Sequence, residues 1–379
     1  EKYVTENTPF LLMTATLSEP LLQALAADLQ AAAVVVRNED LKQMPAVAQR
    51  RRIIYTEAAA LEAESIWKHH RSRTMVVVNR VEKAQQLYRQ LLAARPAGTQ
   101  VLLLHARFFP EDRAAREAQV RQLFGRRSNA NAVLVATQVV EVGLNISAEV
   151  LHTEVAPASA LVQRIGRCAR FEGEGTVFVY DQAAGKGDDR DYLPYEASAE
   201  LCRRTWRYLA ERAPHVLNVQ TTQAFVDAVH SEADHRQLEQ IWTQRGTLVG
   251  PDGLFWRSLA EADPSLPARL IREVQAVSVI LQQELPLADE PYNYAALSLH
   301  PGTLRSFWSR RQGEGFTGWL LARPQYNDDA KTYTYTVLES PREIRSSLLL
   351  VLNARACRYS PEVGLDLACT SATPVTSPL

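Results

Sequence analysis

A chain of 379 residues with 42 Lys and Arg against 43 Asp and Glu carries a formal charge of −1. That balance gives no sign of a globally basic polyanion binder and leaves any such contact to local patches. The length exceeds what one hydrophobic core usually serves, so more than one domain is expected.

Four widely spaced cysteines (Cys168, Cys202, Cys357 and Cys369) form no C-x-x-C pair, and no apolar run is long enough for a bilayer. Neither a disulfide framework nor a zinc site is signalled, and a reducing cytoplasm fits. The opening "EKYVTENTPF" reads as the start of a fragment of something longer.

In chain order, short apolar runs alternate with amphipathic stretches from about residue 10 to 181. The expected strands are "FLLMTAT", "AAVVVR", "RRIIYTE", "TMVVVN", "VLLLHA", "AVLVAT", "VLHTEVA" and "GTVFVYD". Several are apolar on both faces, as in buried parallel sheets. Between them "RVEKAQQLYRQLLAA" and "PEDRAAREAQVRQLF" read as helices. The alternation predicts an α/β fold with a doubly wound, mostly parallel sheet, whose working residues sit at the carboxyl ends of the strands.

After residue 181 the pattern changes. A polar loop, "QAAGKGDDRDYLP", precedes two helical stretches, "YEASAELCRRTWRYLAERA" and "TTQAFVDAVHSEADHRQLEQIW". Beyond about residue 247, Pro and Gly punctuate short strands such as "AVSVILQQ", "TYTYTVL" and "SLLLVLN". This predicts a helical linker and then a smaller, mostly β or α+β terminal domain.

The densest chemistry lies in "LVQRIGRCAR", where Gln163, Arg164, Arg167 and Arg170 follow a strand. On a continuous helix, positions 163, 167 and 170 share a face. Cations gathered there repel one another unless an anion meets them, and a phosphoryl group in transfer is such an anion. Surface arginines paired to Glu172 and Glu174 are the alternative.

Taken together, "TATLS" (14–18), "VVVNRVEKA" (76–84), "LLHARFFPEDR" (103–113), "ATQVVEVGLNIS" (136–147) and "QRIGRCAR" (163–170) resemble, in order and spacing, the later motifs of superfamily 2 helicases. The "HARF…DR" and "ATQVVEVGLNI" wording, with the terminal "ARACRYSPEVGLDL", is similar to the CRISPR-associated helicase-nuclease of type I systems. The resemblance implies RecA-like domains, with residues 1–45 ending the first and 46–200 forming the second. Residues 201–246 would then be the helical linker and 247–379 a C-terminal accessory domain.

The same resemblance implies roles for individual residues. Thr14 and Thr16 match a hydroxyl motif relaying nucleotide state to strand grip. Asn79, Arg80, Thr137 and Gln138 match positions that contact nucleic acid, Thr137 and Gln138 by holding a strand phosphate, and His105 and Arg107 match positions that touch it or position its loop. Arg167 and Arg170 match arginine fingers facing the ATP phosphates, with Gln163 orienting them. Arg164, Glu141, Gly143 and Asn145 fall on the nucleotide side. Asn145 departs from the family's usual aspartate, retaining an acceptor oxygen without the charge.

No G-x-x-x-x-G-K-[ST] occurs; "AAGKGDD" around Lys186 lacks the glycine spacing and the hydroxyl. No Asp-Glu box precedes "TATLS", and no His-Asp dipeptide of a metal nuclease is present. ATP and Mg2+ are therefore expected to be held mainly by an N-terminal portion outside this sequence, with no metal site in this chain. "WKHHRSR" reads as a solvated helix end, and most tryptophans as packing residues.

The resemblance implies a prokaryotic, cytoplasmic ATP-dependent 3′–5′ single-stranded DNA helicase and nuclease in type I CRISPR interference. Its partners would be single-stranded DNA, the crRNA-guided surveillance complex and the missing helicase and nuclease portions, with no membrane. This chain alone is expected to be inactive. Two other readings stay open: another superfamily 2 DNA or RNA helicase, and a non-catalytic split subunit that docks to a partner.

Overall fold

The structure, a computed structural model, describes residues 11–13, 17–35, 38–41, 43–171, 173–181, 192–249, 257, 260 and 276–379. In chain order its principal elements begin with α1 (Glu19–Asp28), β1 (Arg51–Glu57), α2 (Ala63–His69), β2 (Arg73–Val77), α3 (Val81–Ala93), β3 (Gln100–Leu104) and α4 (Pro110–Phe124). They continue through β4 (Ala132–Ala136), β5 (Val150–Glu154), α5 (Ala158–Ile165), β6 (Glu174–Tyr180), α6 (Ala199–Ala210), β7 (His215–Leu217) and α7 (Val219–Val249). The terminal part holds β8 (Val277–Gln282), β9 (Leu297–Leu299), α8 (Pro301–Gly313), β10 (Leu321–Asn327), β11 (Thr332–Val337), β12 (Leu349–Asn353), β13 (Arg358–Ser360) and β14 (Gly364–Asp366).

The chain divides into two compact units. One comprises residues 1–80, 94–101 and 120–271, the other residues 81–93, 102–119 and 272–379. In the first unit the strands run β4-β2-β5-β6-β1-β7, and Gln100 and Val101 of β3 stand beyond β4 at the edge. From β4 to β1 all pairings are parallel; β7 is antiparallel to β1.

The sheet is parallel because each strand feeds an amphipathic stretch that returns to its starting edge. Its strands are apolar on both faces because both are covered. Met75, Val76, Val77, Val133, Leu134, Val135, Leu151, Val177 and Val179 are all fully buried. Each such side chain contributes about 1.5–3 kcal/mol relative to exposure.

The described parts of two expected strands are not strand, and the rest of each lies outside the described residues. Leu11, Leu12 and Met13 of "FLLMTAT" and Val34 and Val35 of "AAVVVR" have no strand pairing and are exposed. An apolar run becomes a strand only with a neighbour to pair and a face to bury. Conversely, the three-residue β7 was not signalled by the sequence.

Within the second unit, a five-stranded sheet runs β11-β10-β12-β8-β9. β12 and β8 are parallel, the remaining neighbours antiparallel. Its core gathers Val279, Leu281, Phe307, Trp308, Leu350, Leu352, Phe109 and Tyr359. Trp319 packs on a smaller cluster around Ile280 and Val351, while Trp242 is exposed; Trp256 lies outside the described residues. No helix among the described residues is long and apolar enough to cross a membrane.

Candidate functional site

Chain direction reverses at β2 and β5, which lie side by side. From β2 the chain leaves toward β3 and β4, whereas from β5 it leaves toward β6. Such switch points open a crevice at the carboxyl ends of parallel strands. Asn79 stands there, just beyond β2. Its backbone N–H donates to Glu154 Oε2 at 2.6 Å, and its Nδ2 donates to the Val155 carbonyl at 2.9 Å. Its Oδ1 is buried without a partner. Gln138 Nε2 donates to the Asn79 carbonyl at 3.0 Å, which ties the loop after β4 to the end of β2.

That loop is held from α5 and the turn behind it. α5 stops at Ile165, one residue before Gly166, so Arg167 and Arg170 do not continue the helix. The N–H of Arg167 reaches back to the Arg164 carbonyl at 2.8 Å, and Cys168 then bridges to Ala148, with Ala169 at φ 45°. The pull of this pairing on the chain overrides the helical register expected for 163, 167 and 170, so the arginines converge on the loop through a turn.

Their tasks differ. Arg164 is fully buried. Its Nε meets Glu141 Oε1 at 2.8 Å, one terminal nitrogen meets Thr153 Oγ1 at 3.1 Å and the Glu154 carbonyl at 3.2 Å, and the other meets Tyr195 Oη at 2.9 Å. This corrects the expectation that Arg164 faces a nucleotide: the side chain is a buried tie with every nitrogen engaged. Arg167, also buried, donates to the Val140 carbonyl at 2.8 Å and to the Glu141 carbonyl.

Arg170 is half-buried. Its Nε donates to Asn145 Oδ1 at 2.9 Å, and a terminal nitrogen lies 3.4 Å from the Gly166 carbonyl. Asn145 thus presents its acceptor oxygen to Arg170. Burial, followed by the charge of Arg50, lowers the Arg170 pKa; burial and then Arg170 lower that of Arg167, against Glu141. Arg52, unremarked as a site residue in the sequence, donates to the Cys168 carbonyl at 2.9 Å and feels both Arg50 and Arg170. The turn therefore concentrates positive charge. Glu174 pairs with Arg51 at 3.8 Å, and Glu172 lies outside the described residues.

The remaining candidates are placed as follows. Thr137 is buried at the end of β4, and Gln163 is half-buried on α5. Gly143 takes φ 82° in the exposed stretch around Val142, a backbone conformation that suits glycine. Arg80 is exposed, and Thr14 and Thr16 lie outside the described residues. His69 ends α2 half-buried, its ring stacked on Phe178 at 4.2 Å between centroids. His70 bonds Thr74 Oγ1 and Asn131 Oδ1.

Within the second unit, His105 and Arg107 serve a different structure. His105 is fully buried, its Nε2 2.9 Å from the Val363 carbonyl and its Nδ1 accepting from the Arg107 N–H. Burial holds its pKa down at about 3. Arg107 lies 2.7 Å from Glu82, and its carbonyl accepts from the Leu365 N–H at 2.8 Å. Gln85 donates to the Val363 and Leu365 carbonyls at 3.0 Å, and Tyr359 Oη accepts from the Phe109 N–H at 2.9 Å while donating to Asp112.

Gly364 closes the contact at φ 69°. A Cβ there would stand 2.4 Å from the Arg107 carbonyl oxygen. The "HARF" and "Y…GL" stretches are thus two sides of one clasp. Of the two roles expected for His105, contact with nucleic acid or positioning of its loop, the buried ring is placed for the second.

Among the described residues no group of three or more His, Cys, Asp or Glu is placed to hold a metal ion. A parallel sheet with loops converging at a switch point, backed by an arginine-bearing helix, is a RecA-like α/β arrangement. Residues 70–173 match the family model described as CRISPR-associated nuclease/helicase Cas3, C-terminal. Over that stretch the chain is similar to the C-terminal part of CRISPR-associated nuclease/helicases.

A putative CRISPR-associated nuclease/helicase Cas3 of Myxococcus xanthus is 35% identical over 167 residues, covering 43% of this chain and 21% of that protein. The CRISPR-associated endonuclease/helicase Cas3 of Thermus thermophilus is 48% identical over 77 residues, 20% of this chain and 8% of its own length. The chain thus spans only a minor part of these relatives. Among solved structures, T. fusca Cas3 has the same fold, with a TM-score of 0.56 at 19% identity over 87% of this chain and 44% of the other.

Proposed function

We propose that this chain is the C-terminal helicase part of an ATP-dependent single-stranded DNA translocase and nuclease acting in type I CRISPR interference. One observation carries the reading: the arginines of the α5 turn all grip the loop 138–145, Arg164 through Glu141, Arg167 through two carbonyls and Arg170 through Asn145. In this reading Arg170 meets the terminal phosphate of ATP, while Thr137 and Gln138 lie on the strand side of the same loop. Electrostatic pull on Arg170 would then be felt at the strand grip through Asn145.

The residues present fit an anion, because Arg170 is half-buried beside Arg50 and Arg167 and its described partners are neutral oxygens. ATP would supply the phosphoryl group whose transfer drives the cycle. Arg170 would stabilise the developing charge, and Arg167 would act as a positioning residue for the loop. The structure of T. fusca Cas3-ADP, similar in fold at a TM-score of 0.52, supports this reading. Phosphate contacts from short polar groups such as Thr137 give register without reading bases, as translocation requires.

The test is DNA-stimulated ATP hydrolysis by the longer protein that contains this chain. Arg170→Ala is expected to lower turnover by about 10³-fold, the usual scale for an arginine finger. Turnover within a factor of a few of wild type would remove Arg170 from the site and the reading with it.

A further inference from the structure

Two helices of the first unit begin without a cap of their own. α1 starts behind Ser18, whose side chain makes no capping bond, and α5 starts behind Pro157, which has no side-chain acceptor. The first N–H groups of a helix lack intrahelical partners and need an acceptor from elsewhere. Both helices obtain it from α7.

The Glu19 N–H donates to Asp227 Oδ1 at 2.8 Å, and the Ser18 hydroxyl donates to Asp234. Gln223 Nε2 donates to the Leu17 carbonyl at 3.1 Å and to Asp227 at 3.0 Å. From the same helix, His230 Nε2 accepts the Ser159 N–H in the first turn of α5 at 3.1 Å. His230 is buried, and burial lowers its pKa, which keeps Nε2 available as an acceptor. Positions 223, 227, 230 and 234 are three or four apart, so they lie along one side of a single helix.

We propose that α7 is a coupling strut, with Asp227, Asp234 and His230 as positioning residues that fix the start of α1 and the start of α5 to one rigid rod. α1 directly follows the "TATLS" stretch, and α5 leads into the arginine turn. Displacement of one helix start must therefore move the rod or break a cap. The functional part of this inference rests on the motor reading above: the strut would couple the start of α1 to the turn that carries Arg170. Neither helix is anchored this way by its own sequence, and the anchors come from more than 60 residues downstream of α5, as the 71-residue separation of Ser159 and His230 records.

The primary test uses this chain itself and needs no activity. Amide hydrogen exchange is measured over residues 17–28 and 158–165 in wild type, Asp227→Ala/Asp234→Ala and His230→Leu. The strut predicts that either variant accelerates exchange in both segments, by about tenfold, the scale of a modest intersite coupling. Asp227→Asn/Asp234→Asn, which keeps the acceptor oxygens, should restore protection. Acceleration confined to the helix whose cap was removed would overturn the proposal.

In the longer protein, Asp227→Ala/Asp234→Ala should lower the ratio of DNA-stimulated to basal ATP turnover by a similar factor, with basal turnover retained. An unchanged ratio, with both segments nevertheless loosened, would leave a mechanical strut and remove its part in the motor. Absence of stimulated hydrolysis in the wild type would instead sink the motor reading, and the exchange result would stand independently.

Discussion

The turn after α5 and the loop after β3 look alike in sequence: each sets basic residues among small or aromatic ones. They fold to opposite ends. After α5, buried Arg164 and Arg167 tie down the loop 138–141, and half-buried Arg170 meets neutral oxygens. After β3, His105 and Arg107 are buried beneath the 359–366 hairpin, with Gly364 against their backbone. A motif residue can therefore serve a ligand or serve the scaffold, and burial with complete hydrogen bonding separates the two.

The largest effect on stability should come from the tie in the first region. Arg164→Ala would leave Glu141 without its partner and buried acceptors unmet, a loss of about 3–5 kcal/mol on the scale of broken buried pairs. Chemical denaturation measures it; a change under 1 kcal/mol would show that the arginine is dispensable to the loop. In the second region Gly364→Ala forces a left-handed residue and a Cβ against the Arg107 carbonyl. The strain alone costs about 1–3 kcal/mol. Unfolding of the second unit reports it, and unchanged stability would mean the hairpin does not clasp the loop.

A graded effect with pH appears in both regions. His105 has a folded pKa of about 3, below the ordinary value of 6.5, so the folded state resists its protonation. Its contribution is fully present above pH 6.5 and is lost as pH falls toward 3, by up to about 1.4 kcal/mol per pH unit. His152, buried beside Tyr180 and also held at about 3, adds the same sign in the first unit. His105→Gln should flatten the acid slope of stability by about one proton. A slope equal to wild type would show that His105 is not buried neutral.

Much of the scaffold was legible because period and composition are local properties. α4 runs from Pro110 to Phe124, the span of "PEDRAAREAQVRQLF", and six of the eight expected strands through residue 181 formed. The described residues of "FLLMTAT" and "AAVVVR" pair with nothing, because an apolar run carries no record of whether a neighbour exists. The site was legible only in part. Motif spacing singled out Asn79, Gln138, Asn145 and the α5 arginines. It could not say that Glu141 engages Arg164, that Tyr195 completes that tie, or that Glu154 holds the Asn79 backbone, since these depend on long-range placement. The terminal "Y…GL" was visible as wording, but its meaning, a glycine pressed on the "HARF" backbone, required coordinates.

The contrast between the two basic regions is tested most directly by Arg170→Ala and Arg107→Ala side by side in the longer protein, scored for DNA-stimulated ATP turnover and for Tm. The account predicts that loss of Arg170 abolishes nearly all turnover with Tm preserved, while loss of Arg107 lowers Tm and leaves most turnover per folded molecule. The reverse pattern, or equal loss of turnover in both, would contradict it.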